Sequence, residues 1–438
     1  MNWNPLYGLL ILFSTIITWI CALLLENKTK KEKRKIILLS SLIINLGILF
    51  LFKYANFFST SINDLFQLLN IKFEVPLLNL LLPVGISFYT FQAIGYTIDV
   101  YKGSVKAEKS FITYALFVSF FPQLVAGPIE RAKSLLPQFH RINNFSTSNF
   151  TEGARLVLWG YFMKVVISDR LAIYVDLVYN NISYHNSITL IVASIFFAFQ
   201  IYCDFGGYSN IAIGCAKIMG YDLMTNFRRP YLSTSVTEFW RRWHISLSTW
   251  FRDYLYIPLG GNRCSKKRNY FNLLTTFIVS GIWHGANWTF IVWGALNGVF
   301  QVYEKMTFRT REKLSNSLKL YRISTLVYIF NVVLTFIVIT ITWVFFRADT
   351  IGDALVVFER ILNIRGALYT VPLQALLYGT FFTVILIVSD VLQERNNEKH
   401  FFLENKYRFV RYATYLSIVI LILLFGVFDS SRFIYFQF

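Results

Sequence analysis

Charge is scarce in this chain: of 438 residues only 15% are Asp, Glu, Lys or Arg, while 55% are hydrophobic. A soluble domain of this length needs far more polar surface to cover a single core, so that class is excluded. Cysteine is also rare. Cys21, Cys203, Cys215 and Cys264 form no CxxC pair and no metal-ligand spacing, so neither a disulfide framework nor a cysteine metal site is expected. No GxSxG elbow, HExxH pair or phosphate-binding P-loop occurs, which removes the common hydrolase, zinc-protease and NTPase chemistries. No apolar run carries the repeated charge of a voltage sensor, and no filter-like glycine loop suggests a channel. No repeat, low-complexity tract or linker divides the chain, so residues 1–438 read as one domain.

What is present is apolar and long. Leu6–Leu25, Ile36–Phe52, Leu77–Val100, Tyr328–Phe346, Leu373–Leu392 and Tyr412–Phe428 all approach the 20 or so residues that cross a bilayer as a helix. The first is too long, and its N-terminal flank too uncharged, for a cleaved signal peptide. The fold class is therefore all-α, with roughly ten transmembrane helices and re-entrant pieces.

Basic residues outnumber acidic ones by 42 to 24, a formal charge of +18. They cluster in short loops beside the spans, which points to membrane topology and lipid contact rather than to nucleic acid. Lys28–Lys35, Lys102 to Lys109, Asp204–Tyr270, Lys305–Arg322 and Arg395–Arg411 should face the cytoplasm, leaving both termini outside. Phe111–Val125 lies between two basic loops and should dip in and return, with Pro122, Gly127 and Pro128 suiting a broken segment. The expected location is the cytoplasmic (inner) membrane, crossed several times.

The most informative residue is His284, an ionisable side chain deep in the apolar run Phe277–Trp293. Such a residue is costly in a membrane and is a functional candidate for that reason. Burial favours a neutral imidazole, which is a competent general base; the bland alternative is a histidine that only ties two helices together. Gly281 and Gly285 leave room beside it for another backbone or a thin substrate. A second constellation, Thr237–Tyr256, spaces its aromatics as one amphipathic helix, with Arg241, Arg242 and Arg252 on a cationic side and His244 and Trp240 beside them. Anionic lipid headgroups would account for the arginines, and so would a vestibule for a phosphate-bearing donor. The adjacent glycines of Asp204-Phe-Gly-Gly-Tyr208 suggest a tight turn at the membrane edge.

These motifs resemble the membrane-bound O-acyltransferase family, most closely its bacterial branch typified by the membrane subunit of alginate O-acetyltransferase. The matching stretches are Leu82–Gln92, Phe121–Ile129, Tyr202–Tyr208, the run from Thr237 to Asn262, and Trp283-His-Gly-Ala286. Gly206 stands where the family pattern suggests Ser, and Asn210 where it suggests an acid. The resemblance implies a ring of tilted helices around a central pore, with His284 as the catalytic histidine and His244 as the second characteristic position. Asp204, Tyr208, Trp283 and Gly285 fall in its motifs as supporting positions. It further implies acyl transfer, acetyl above all, from a cytoplasmic thioester such as acetyl-CoA, with no permanently bound cofactor and no metal. The acceptor side is a cell-envelope or exported polysaccharide, reached directly or through an extracytoplasmic acyltransferase. Two alternatives stand beside this reading: D-alanyl transfer to teichoic acid from a carrier protein, and a transporter or export channel without chemistry.

The aromatic end Phe433–Phe438 is expected outside, where it would serve as an interfacial anchor. It also resembles acyl-carrying tails associated with the family, which makes Tyr435 a candidate acyl acceptor.

Overall fold

The computed structural model describes residues 6–27, 30–319, 323–363, 365–396, 400–428 and 434. Every regular element among them is helical. Tyr435 and both chain ends lie outside the described residues. Six helices are long and apolar enough to cross a membrane: Tyr7–Asn27, Lys31–Leu68, Ser187–Ile218, Ser324–Arg347, Leu373–Arg395 and Arg408–Phe425. The protein is a multi-pass membrane protein.

The chain divides into two compact units. One holds Met1–Asn149 and Met219–Met224, and the other Phe150–Ile218 and Thr225–Phe438. In the first unit, α1 (Leu6–Asn27) and α2 (Lys31–Leu49) enclose α4 (Ile86–Lys102); α2 runs through a wide π turn into α3 (Ala55–Leu68). All residues of α4 from Ile86 to Thr97 are buried, as expected of a helix that is apolar on every side. Polar pins cross this apolar packing: Ser14 Oγ donates to Asn45 Oδ1 at 2.5 Å, and the Tyr114 hydroxyl to Thr18 Oγ1 at 2.8 Å.

The span expected over Leu77–Val100 starts late. Residues 71–83 form no regular element, and α4 begins only after Gly85, whose φ of +78° suits glycine. This segment is tied down because Asn56 and Asn63 of α3 pair their amides with the backbone of Leu78 and Val75, at 2.8–3.0 Å. Phe111–Val125 is broken as its proline suggests. Between α5 (Phe111–Ser119) and α6 (Phe121–Leu124) lies Phe120, with ψ 108°.

The second unit begins within α8 (Thr147–Tyr161), which continues through a wide turn, Phe162–Ser168, into α9 (Asp169–Tyr179). Against these packs α10 (Ser187–Ile218), 32 residues long. The Gly206–Gly207 pair sits inside α10, so the tight turn expected there is corrected to helix. Its role is close approach: a Cβ on Gly207 would overlap the Gly160 carbonyl, one on Gly160 the Gly207 carbonyl, and Gly153 and Gly214 face each other likewise. Small residues at a helix crossing let backbones touch in a membrane, where apolar side chains gain nothing over lipid. The unit also holds α15 (Ser324–Arg347), α16 (Ile351–Leu362), α17 (Leu373–Arg395) and α18 (Arg408–Phe425). The fully buried rings of Trp243, Trp343 and Trp293 pack in series in its core, Trp343 tilted against Trp243 at 5.1 Å and stacked on Trp293 at 5.7 Å between centroids.

Candidate active site

His284 is the last residue of α13 (Lys266–His284), which folds back on α14 (Trp288–Ser317). The hairpin closes because Gly281 and Gly294 meet backbone to backbone. A Cβ on either would overlap a carbonyl of the facing helix, that of Phe290 or of Phe277. Asn287 then starts α14, its Oδ1 accepting from the Thr289 N–H at 3.0 Å. The result holds the His284 ring, 4% exposed, among Trp283, Trp293 and Phe346 at 5.0, 5.0 and 5.3 Å between centroids.

His244 reaches the same place by another route. The single amphipathic helix expected over Thr237–Tyr256 is two helices, α11 (Val236–Arg242) and α12 (Ile245–Phe251), followed by a wide turn. Strand-like pairing with the segment before α11 interrupts it: the Arg228 N–H donates to the Arg242 carbonyl and the Ile245 N–H to the Asn226 carbonyl, both at 2.9 Å. His244 takes up the break at φ 42°, a left-handed conformation uncommon for a residue with a Cβ. Its ring lies 6.5 Å from that of His284 and 4.6 Å from Phe205 of α10. Burial pushes its imidazole down to about 3, so the ring is neutral at physiological pH.

Both histidines line one cavity of about 1240 Å³, above the usual range for a small-molecule site and large enough for a cofactor-sized donor. Arg241, Arg252, Lys305 and Arg311 also line it, against one carboxylate, Glu304. That carboxylate is taken up by α11: it accepts from the Val236 and Thr237 N–H groups at 2.6 and 2.9 Å and from the Thr237 hydroxyl at 2.7 Å. The wall near Lys305 is tied by Asn269. Its amide donates to the Tyr256 hydroxyl (2.6 Å) and the Gly261 carbonyl (2.7 Å), while its oxygen accepts from Lys305 at 2.5 Å. Gly260 and Gly261 have φ of +113° and +54°, which explains the glycine pair in that loop.

The candidates named from the sequence separate into groups. His284, His244, Trp240, Arg241 and Arg252 line the cavity, and Trp240 also donates to Asn297 at 3.2 Å. Arg242 does not line it; its guanidinium binds Glu238 at 2.6 Å and Glu394 at 3.0 Å. Trp283 packs on His284, and Gly285 is small because a Cβ would strike the Phe290 ring. Asp204, fully buried on α10, pairs with Lys164 at 2.6 Å and accepts the Ile434 N–H at 2.7 Å. Tyr208 is half-buried on the same helix. Lys305 and Arg311 were not singled out from the sequence, although the charged stretch from Lys305 contained them. Asn226 carried no signal at all, being one polar residue in a basic loop.

A sequence profile of the membrane-bound O-acyltransferase family matches residues 106–348. The chain is similar to a probable alginate O-acetylase of Pseudomonas syringae pv. tomato, at 43% identity over 75% of this chain and 60% of the relative. It is 40% identical to the probable alginate O-acetylase of Pseudomonas aeruginosa, over 83% of this chain and 67% of that one. With the peptidoglycan O-acetyltransferase of Helicobacter pylori it shares 35% identity, over 83% and 72% respectively. The chain thus spans less than two thirds of the first relative's length. On the profile and these relatives, the chain belongs to the membrane-bound O-acyltransferase family.

Proposed function

We propose that this chain is a membrane O-acetyltransferase, moving acetyl from a cytoplasmic thioester, acetyl-CoA, towards a hydroxyl of a cell-envelope or exported polysaccharide. The observation that carries this reading is the joint presence of His284 and His244 in the wall of one cavity with a cationic rim. Arg241, Arg252, Lys305 and Arg311 attract the donor's phosphates. His284 takes the proton from the acceptor hydroxyl as its oxygen attacks the thioester carbonyl. The C–S bond breaks, and the imidazolium returns the proton to the leaving thiolate. Aromatic walls around His284 keep water from the thioester. Acetyl-CoA is a substrate here, not a resident cofactor.

The cationic rim faces the cytoplasm and both termini lie outside, in the inner membrane; this orientation rests on the distribution of Lys and Arg. Tyr435 accepts the acetyl group as a phenol ester before an extracytoplasmic acyltransferase passes it to the polymer. Supporting this is the neighbouring Ile434, which is 3% exposed and bonded to the buried Asp204. Tyr435→Phe should abolish polymer acetylation, and undiminished acetylation removes this step.

Vesicles carrying the protein, supplied with labelled acetyl-CoA, test the whole reading: label should leave the thioester only with His284 intact. Full transfer by purified His284→Ala protein rejects it. Transfer from an aminoacyl carrier protein but not from acetyl-CoA selects D-alanylation. Polymer flux without thioester consumption, tolerant of His284→Asn, selects a transporter.

A further inference from the structure

Four hydrogen-bonding groups converge on one fully buried side chain outside the histidine pair. Asn226 Oδ1 accepts from the Ser246 N–H at 3.2 Å and the Ser246 hydroxyl at 2.9 Å, and lies 3.2 Å from His244 Nδ1. Its Nδ2 donates to Ser209 Oγ at 3.0 Å. The orientation of the amide follows from its partners. A backbone N–H can only donate, so the atom facing Ser246 N is the oxygen, and the nitrogen faces Ser209. The same oxygen faces the imidazole, where a lone pair on Nδ1 would meet a lone pair at 3.2 Å. Nδ1 therefore carries the hydrogen. The main chain of Asn226 is held too, since its carbonyl accepts the Ile245 N–H.

We propose that Asn226 is a positioning residue that fixes His244 as the Nδ1–H tautomer, so that a lone pair on Nε2, and not an N–H, faces the site in which His284 takes the hydroxyl proton. This rests on the acyltransferase reading of the site. The junction also stabilises the left-handed backbone at His244, because Ser246 and Ile245, immediately beyond the break, are bound by the same residue. One asparagine thereby sets both where the imidazole stands and which nitrogen can accept. Among the described residues, the groups facing the ring include His284 and Trp283 from α13, Phe205 from α10, Phe227 and Asn226 from the preceding segment, and Ser246 from α12. Of these six, His284 is the titratable one.

Selective ¹⁵N labelling of the five histidines, with His244→Gln to assign the signal, reads the tautomer directly on the full-length protein in nanodiscs. The expected result is a protonated Nδ1 and an unprotonated Nε2; the reverse overturns the proposal. Asn226→Asp keeps the acceptor oxygen and places a negative charge beside Nδ1–H, which should raise the His244 titration by about 1–3 pH units and carry the acid limb of acetyl transfer with it. Asn226→Leu should lower kcat by roughly 10²-fold, the low end for a misplaced acid–base group, with donor KM within about twofold. A merely structural asparagine predicts a loss that follows thermal stability and no shifted limb in Asn226→Asp, and that result also overturns it. Should Asn226→Leu fail to fold, the wild-type tautomer and Asn226→Asp still decide. Full transfer by His244→Gln protein, beside the expected tautomer, breaks the role of His244 in transfer and leaves the tautomer assignment standing; a reversed tautomer with inactive His244→Gln breaks this inference alone.

Discussion

The two histidines stand 6.5 Å apart and both touch aromatic rings, yet what places each of them differs. His284 is fixed by apolar contact: a glycine-lined hairpin places it and three aromatic rings box it in. All but one of those parts, Phe346, come from a single stretch of chain, so the setting is local. His244 is fixed by polar contact, through an asparagine 18 residues upstream that bonds across a helix break. A packed setting tolerates little change in volume, whereas a hydrogen-bonded setting tolerates volume and fails on lost donors or acceptors. Substitutions that alter size and substitutions that alter hydrogen bonding should therefore divide between the two.

The largest effect is expected at His284 itself. His284→Ala should lower transfer by about 10²–10⁴-fold, the range for removing a general base, and should also lower the melting temperature, because removing a ring boxed by three aromatics leaves a cavity. Labelled-acetyl transfer and a melting curve on the same preparation check both halves. Next comes packing. Gly207→Ala should cost about 1–3 kcal/mol, since its Cβ meets the Gly160 carbonyl and the Lys164 N–H, neither of which can swing aside. Gly206→Ala, one residue away, meets only the flexible end of Met163 and the Tyr202 ring and should be close to neutral. Equal losses at both would mean that the crossing of α8 and α10 does not depend on backbone approach.

A smaller split is expected between Arg241 and Arg252 on one side and Arg242 on the other. Arg241→Gln with Arg252→Gln should raise the apparent KM for acetyl-CoA by roughly 3- to 10-fold, modest because both groups are solvent-screened, and the difference should shrink in high salt. Arg242→Gln should leave KM unchanged and lower stability by loss of its pairs with Glu238 and Glu394. Kinetics at two ionic strengths separate them; a raised KM in Arg242→Gln would dissolve the distinction.

The same contrast explains what could be read from the sequence. The spans around Leu6–Leu25, Tyr328–Phe346, Leu373–Leu392 and Tyr412–Phe428 match helices within a few residues, because a run of apolar side chains long enough for a bilayer has few other solutions. His284 was legible for a related reason, as one ionisable group among apolar neighbours. The irregular segment 71–83 was not, since its apolar composition is that of a helix and the asparagines that hold it lie on α3, 12 and 22 residues away. Arg241 and Arg242 are adjacent and chemically equal, so only the fold tells which one lines the cavity. The break at His244 was hidden as well. The aromatic spacing of Thr237–Tyr256 continues through it, and the pairing that interrupts the helix comes from Asn226 and Arg228.

A last test, made by changing pH, asks whether the polar setting carries its share of stability. His244 is pushed down to about 3 and His400, half-buried beside Trp159, to about 4, in both cases chiefly by desolvation. An unfolded histidine titrates near 6.5, so below that value the unfolded chain binds more protons than the folded one. Stability is then complete above about pH 6.5 and falls as the medium is acidified towards pH 4, by at most about 1.4 kcal/mol per pH unit for each group. His244→Asn keeps an amide that can donate to Asn226 and removes one titrating group, so its melting temperature should fall less steeply over this interval than that of the wild type. His284→Asn provides the matched control from the apolar setting. If His244→Asn and wild type lose stability in parallel between pH 6.5 and 4, the His244 ring is not held neutral by the fold, and the hydrogen-bonded half of the comparison fails.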